Sequence, residues 1–178
     1  MAITKIQSES LNLADTYDFT GSVTGAGESN APSFLATGGN SNQTVTNNAY
    51  TKVEYNQEIF DTASAFSSNR FTVPSGQAGK YFFSAQLFFE DADMEGKRLI
   101  LEFKKNNSGI KYNQIRFNSN SANVISFPAI ITTLDDASVG DYYEVFMYHE
   151  TGNNSSVILE NASTNYANNF FSGFKVSS

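Results

Sequence analysis

An antiparallel all-β sandwich of eight to ten strands is what this 178-residue sequence predicts, and three observations carry the expectation. The residue mix suits pleated, half-buried surfaces: 16 Phe and 9 Tyr stand among many Thr, Ser, Asn and Val, and only 16% of residues are charged. Long runs of Ala, Leu, Glu and Lys at helical period are missing. Short alternating segments recur instead, separated by Asn, Ser, Gly and Pro, the residues that turns require.

Residues 1–30 differ in character from the rest of the chain. Ile3, Ile6, Leu11 and Leu13 are spread through polar residues, and Phe19, Val23 and several glycines come after them. These apolar groups are too few to close a core, and the glycines disfavour a helix. The segment reads either as a disordered tail or as an extended arm or stem that orders only against partner chains. Residues 31–178 are long enough for one well-buried domain.

From Pro32 the strands follow in order. Ser33–Thr37 ends at Gly38-Gly39, and Gln43–Val45 pairs nearby. Thr51–Tyr55 alternates Val53 and Tyr55 against Lys52 and Glu54. Arg70–Val73 leads through Pro74 and Gly76 to Gly79-Lys80-Tyr81-Phe82-Phe83-Ser84-Ala85-Gln86-Leu87-Phe88-Phe89. Arg98–Lys105 puts Leu99, Leu101 and Phe103 on one side and Ile100, Glu102 and Lys104 on the other. Asn106-Asn107-Ser108-Gly109 is a turn in which Gly109 offers a positive φ. Ile115 and Phe117 mark a further strand. Val124–Leu134 is almost continuously apolar, as in a strand covered on both faces. Val139-Gly140-Asp141 makes a corner into Tyr142–Glu150; Ser156–Leu159 and Phe170–Val176 complete the set.

The segment from Gly79 to Phe89 says most about function. Tyr81, Phe83, Ala85, Leu87 and Phe89 fall on one face, enough to close a core. Phe82, Ser84, Gln86 and Phe88 fall on the other, which is half apolar and also needs a cover. A second layer of the same chain or a neighbouring subunit must supply it, which points to an oligomer built for assembly or binding.

Charge and composition exclude other classes. A formal net charge of −7, with basic residues scattered, argues against nucleic-acid binding. Without cysteine there is no disulfide, thiolate metal site or cysteine nucleophile. The first residues lack the apolar core of a signal peptide, and no stretch reaches the ~18 residues of a membrane span. His149 is the one histidine; it lies at a strand end, where a rim position is the ordinary explanation, and no nucleophile-elbow pattern accompanies it.

Asp91-Ala92-Asp93-Met94-Glu95-Gly96, with Glu102 completing a twelve-residue spacing, approximates a calcium loop. Glu95 stands where a shorter side chain is expected, and Glu102 falls inside a strand with no flanking helices, so an acidic turn between strands is the preferred reading. Phe82, Phe88, Phe127, Phe146 and Tyr148 read as a subunit interface rather than a ligand pocket. Asn- and Ser-rich loops at Asn118–Asn123 and Asn161–Asn169 suit recognition or plain solvation. No catalytic, cofactor or metal residue is assigned.

Several landmarks together resemble the globular head of complement subcomponent one-q, a jelly roll shared with the tumour-necrosis-factor superfamily. They are Phe60-Asp61, Phe66, Arg70-Phe71-Thr72-Val73-Pro74, Gly79-x-Tyr81-x-Phe83, Lys105-Asn106, Val139-Gly140-Asp141 and Phe171-Ser172-Gly173-Phe174. The link Pro74–Gly79 is about two residues longer than usual in that family. The resemblance implies a trimeric, non-enzymatic jelly roll, with calcium in some members.

Residues 1–30 carry a second resemblance. Ile3-Thr4-Lys5-Ile6, Leu11-Asn12-Leu13-Ala14-Asp15 and Phe19-Thr20-Gly21-Ser22-Val23-Thr24-Gly25 are similar to the starts of bacteriophage fibre and virion surface proteins, marine phages in particular. It implies a homotrimeric fibre, knob or decoration protein on a virion, anchored to other virion proteins through residues 1–30, with host-surface glycan or protein as a further partner. The alternative is a freestanding trimeric recognition module, lectin-like or cytokine-like.

Overall fold

The computed structural model describes residues 32–38, 43–92, 96–118, 124–152, 155–157 and 169–177. Among them every regular element is a strand: β1 (Ser33–Thr37), β2 (Gln43–Val45), β3 (Thr51–Lys52), β4 (Gln57–Asp61), β5 (Phe66–Ser67), β6 (Arg70–Thr72), β7 (Gly79–Ala92), β8 (Arg98–Lys105), β9 (Ser108–Arg116), β10 (Val124–Ala137), β11 (Tyr142–His149), β12 (Ser155–Val157) and β13 (Phe170–Ser177). One sheet runs β10-β7-β13-β1-β4, and the other runs β5-β6-β11-β8-β9 with β3 also paired to β11. β2 and β12 form a separate ribbon, and all pairs are antiparallel.

The core between the sheets is aromatic. Tyr81, Phe83, Ala85 and Leu87 of β7 are wholly buried, as their alternation predicts, facing Leu99, Leu101 and Phe103 of β8 and Tyr143, Val145 and Met147 of β11. Phe34 stacks on Phe66 and Phe71 at 5.0 and 4.9 Å and meets Phe171 edge-on at 4.8 Å. Phe83 lies 4.2 Å from Tyr143 across the layers. Two tyrosine hydroxyls find acceptors at one end: Tyr81 donates to the Gln77 carbonyl at 2.7 Å, and Tyr143 to Asp135 Oδ2 at 2.5 Å.

Several sequence expectations are corrected. In the hairpin between β8 and β9, Asn106 (φ 51°) and Asn107 (φ 68°) occupy the left-handed positions, and Gly109 lies inside β9. This suits a two-residue turn needing positive φ at both central residues, which asparagine tolerates. Asn106 adds tertiary bonds: its Nδ2 donates to Asp141 Oδ1 (2.8 Å), and its Oδ1 accepts the Tyr142 N–H (3.0 Å). At Gly109 the end of the Glu102 side chain lies over the backbone, where a Cβ would displace its Oε1.

Thr51–Tyr55 pairs only over Thr51–Lys52; Val53 and Tyr55 are still buried as the chain crosses towards the first sheet. His149 is not at the rim. It is 1% exposed, its Nε2 donates to the Val45 carbonyl (2.9 Å), and its Nδ1 accepts the Thr151 N–H (3.4 Å), so it ties the β2 segment to the sandwich. Val124–Leu134 is not covered on both faces: Ala129 and Ile131 are buried, whereas Ile130 and Leu134 are 49% and 66% exposed. The reason is topological, because β10 lies in a sheet whose outer surface no other described layer of the chain covers.

Candidate assembly face

The outer face of the five-stranded sheet is built from registered cross-strand rows. Leu134 of β10, Phe82 of β7 and Phe174 of β13 lie side by side, with the Phe82 and Phe174 rings 5.4 Å apart. The next row is polar, Thr132, Ser84 and Ser172, and the next is Ile130, Gln86 and Phe170. Alternation forces this arrangement: the neighbours of these residues along each strand fill the core, so these must point away from it. Phe174 and Val176 are about half exposed. At one end, Leu134, Val176, Lys80, Asp135 and Asp136 line an open groove of about 310 Å³.

The six-stranded sheet presents a different outer face, on which the charges around β11 pair with one another. Glu144, 2% exposed, receives Lys52 Nζ at 2.7 Å and Arg70 Nη2 at 2.8 Å on one carboxylate oxygen. Burial alone would raise its carboxyl pKa, but the Lys52 and Arg70 hydrogen bonds outweigh it and hold the group below the usual glutamate value. Arg98 Nε lies 2.6 Å from Glu150 Oε1, an ion pair off the hydrogen-bonding angle. Lys104 sits 3.8 Å from Glu102.

The same cations cover the aromatic rings of that face. Arg70 lies over Tyr142 at 3.8 Å, Lys104 over Phe146 at 4.0 Å, and Arg98 over Tyr148 at 5.1 Å. The β11 strip of one sheet is thus covered by its own cations, with Tyr112 at the β9 edge left 65% exposed, and the other sheet leaves a row of aliphatic and Phe side chains in water.

Compared by sequence, the chain matches no family model and no curated protein. Compared by structure, it is similar to the globular domain of zebrafish complement 1qA protein, at 18% identity and a TM-score of 0.52 over 83% of this chain and 98% of that one. It is also similar to murine APRIL in a crystal structure at pH 5.0, at 10% identity and a TM-score of 0.55 over 83% of this chain and all of that one. The fold is their jelly roll.

Within this jelly roll the five aromatics grouped from sequence separate. Phe82 and Phe88 belong to the five-stranded sheet, Phe146 and Tyr148 to the outer face of the six-stranded sheet, and the Phe127 side chain lies outside the described residues. Leu134, Phe174 and Val176, which complete the apolar wall, were not singled out from sequence. Their signal was the same as that of Phe82, an apolar residue at an outward position of an alternating strand.

Of the calcium-like spacing, Asp93 and Glu95 lie outside the described residues, and only the backbone of Asp91 is described. Glu102 points outwards from β8, and burial raises its carboxyl pKa while Lys104 opposes the shift. Of the Asn- and Ser-rich loops, residues 119–123 and 161–168, together with residues 1–31, fall outside the described residues, while Asn169 at the end of the second is buried.

Proposed function

We propose that this chain is a non-enzymatic, self-associating jelly-roll module that forms a homotrimer and works by binding. The reading is carried by the contrast between the two outer faces: along β11 one is covered by its own ion pairs and cation–π contacts, whereas the other exposes Leu134, Phe174, Ile130 and Val176 beside Phe82 in one continuous patch. Burying each such side chain contributes roughly 1.5–3 kcal/mol in transfer terms, so a few per protomer drive association. The likeness in fold to complement 1qA and APRIL supports a recognition role. Light scattering on the full chain tests the reading: three times the 19.5 kDa protomer mass is expected at micromolar concentration, and a protomer mass rejects it.

The finer reading places the module on a bacteriophage particle as a fibre, knob or decoration protein, with residues 1–30 as its anchor and host-surface glycan or protein as its target. It is supported by the sequence of residues 1–30 alone. Deleting them is expected to abolish incorporation into particles while leaving the trimer intact; incorporation of the truncated chain rejects it and favours a freestanding recognition module.

A further inference from the structure

Lys80 and Asp136 are charged residues beside the Leu134–Phe82 row of the apolar wall. They are directly opposed cross-strand neighbours at the end of β7 and β10, both are exposed, and they flank the groove formed with Leu134 and Val176. Every other described cation and anion close to this end is engaged: Lys105 Nζ lies 2.8 Å from Asp135 Oδ2 and 3.0 Å from Asp141 Oδ2, and Lys175 Nζ donates to Gln77 Oε1 at 3.2 Å. Among the described residues Lys80 and Asp136 make no ion pair, with each other or with anything else.

We propose that Lys80 of one protomer pairs with Asp136 of the next, and that this contact selects a closed ring of copies related by rotation. The inference rests on the self-association reading above and names its electrostatic partner. Around a threefold axis, three copies of Lys80 alone would repel one another, as would three copies of Asp136. Alternating Lys80 with the neighbouring Asp136 turns six unpaired charges into three pairs beside the apolar groove. Lys80 on β7 and Asp136 on the adjacent β10 can meet the opposite member of the next copy's pair, so each contact joins different residues of two copies and the ring closes by rotation. The apolar wall supplies attraction without direction; the charges supply register.

Charge reversal tests this by mass and by mixing. Lys80→Glu gives an all-negative patch and Asp136→Lys an all-positive one, and since both residues are exposed, far-UV circular dichroism should match the parent chain. Each variant alone places like charges at all three junctions and is expected to run at the protomer mass; an equimolar mixture is expected to gain 2:1 trimers in native mass spectrometry, with opposite charges at two of the three junctions, and the double variant Lys80→Glu/Asp136→Lys, with opposite charges at all three, is expected to recover the parent trimer. Trimers from either variant alone, or a protomer mass for the double variant, would overturn the proposal. A pair within one protomer would give no gain on mixing, so that outcome is separated too. A parent chain that is itself monomeric would instead reject the self-association reading.

Discussion

Gly173 lies flat against the ring of Phe83: a Cβ at Gly173 would fall 2.5 Å from Cδ1 of that ring, and 2.9 Å from Cε1 of Phe34. The two residues are opposed in the β13–β7 register, so the missing side chain is what lets the aromatic core reach the β13 backbone. Gly173→Ala is expected to lower stability by roughly 1–3 kcal/mol through overpacking. A thermal melt checks it, and an unchanged midpoint contradicts it.

Leu134→Asp and Phe174→Asp replace exposed side chains of the apolar wall without touching the core. Each is expected to keep a near-parent melting profile at low concentration and to shift the assembled mass to that of the protomer. Sedimentation velocity reads both species. Assembly that survives both substitutions would show that this wall is not where copies meet.

Acid should weaken the fold through Glu144. Its carboxyl titrates lower in the folded chain than the ordinary 4.5, so the folded state binds fewer protons than the unfolded state in the window between the two values. The stabilisation is therefore full above pH 4.5 and drains as pH falls through the lower folded value. Glu144→Gln is expected to cost stability at pH 7 and to flatten this acid limb in urea titrations run from pH 7 to pH 3. A variant that keeps the parent slope would remove Glu144 as its source.

The β8–β9 turn separates backbone need from side-chain need. Asn107 serves through its positive φ, so Asn107→Gly is expected to be neutral or slightly stabilising. Asn106 also bonds Asp141 and Tyr142, so Asn106→Gly is expected to cost about 1–2 kcal/mol. Equal effects of the two changes in denaturant unfolding would contradict this division.

Much of the sandwich was legible in the strands because alternation is a local property. β8 has the predicted limits, and the inward face of β7 from Tyr81 to Leu87 is as the sequence implies, the Phe89 side chain lying outside the described residues. Burial of His149 and Glu144 was not legible, since each depends on groups far along the chain: Val45 for the histidine, Lys52 and Arg70 for the glutamate. A strand-end histidine and an outward glutamate look alike whether solvated or enclosed. The turn glycine is a correction of another kind: Asn106 and Asn107 take the positive φ themselves, and a segment containing both asparagine and glycine does not reveal which of them will.

The chain's own sequence determined that it would be all-β and that β7 and β10 would carry apolar groups on two sides, because side-chain direction along a strand is fixed by backbone geometry. Only the tertiary structure decided which sheet would keep its second side open. The order β10-β7-β13 aligns Leu134, Phe82 and Phe174 into one wall, whereas long-range ion pairs and cations laid over rings cover the β11 strip of the opposite sheet. Strand neighbours distant in sequence set that difference, and local pattern contains no information about them.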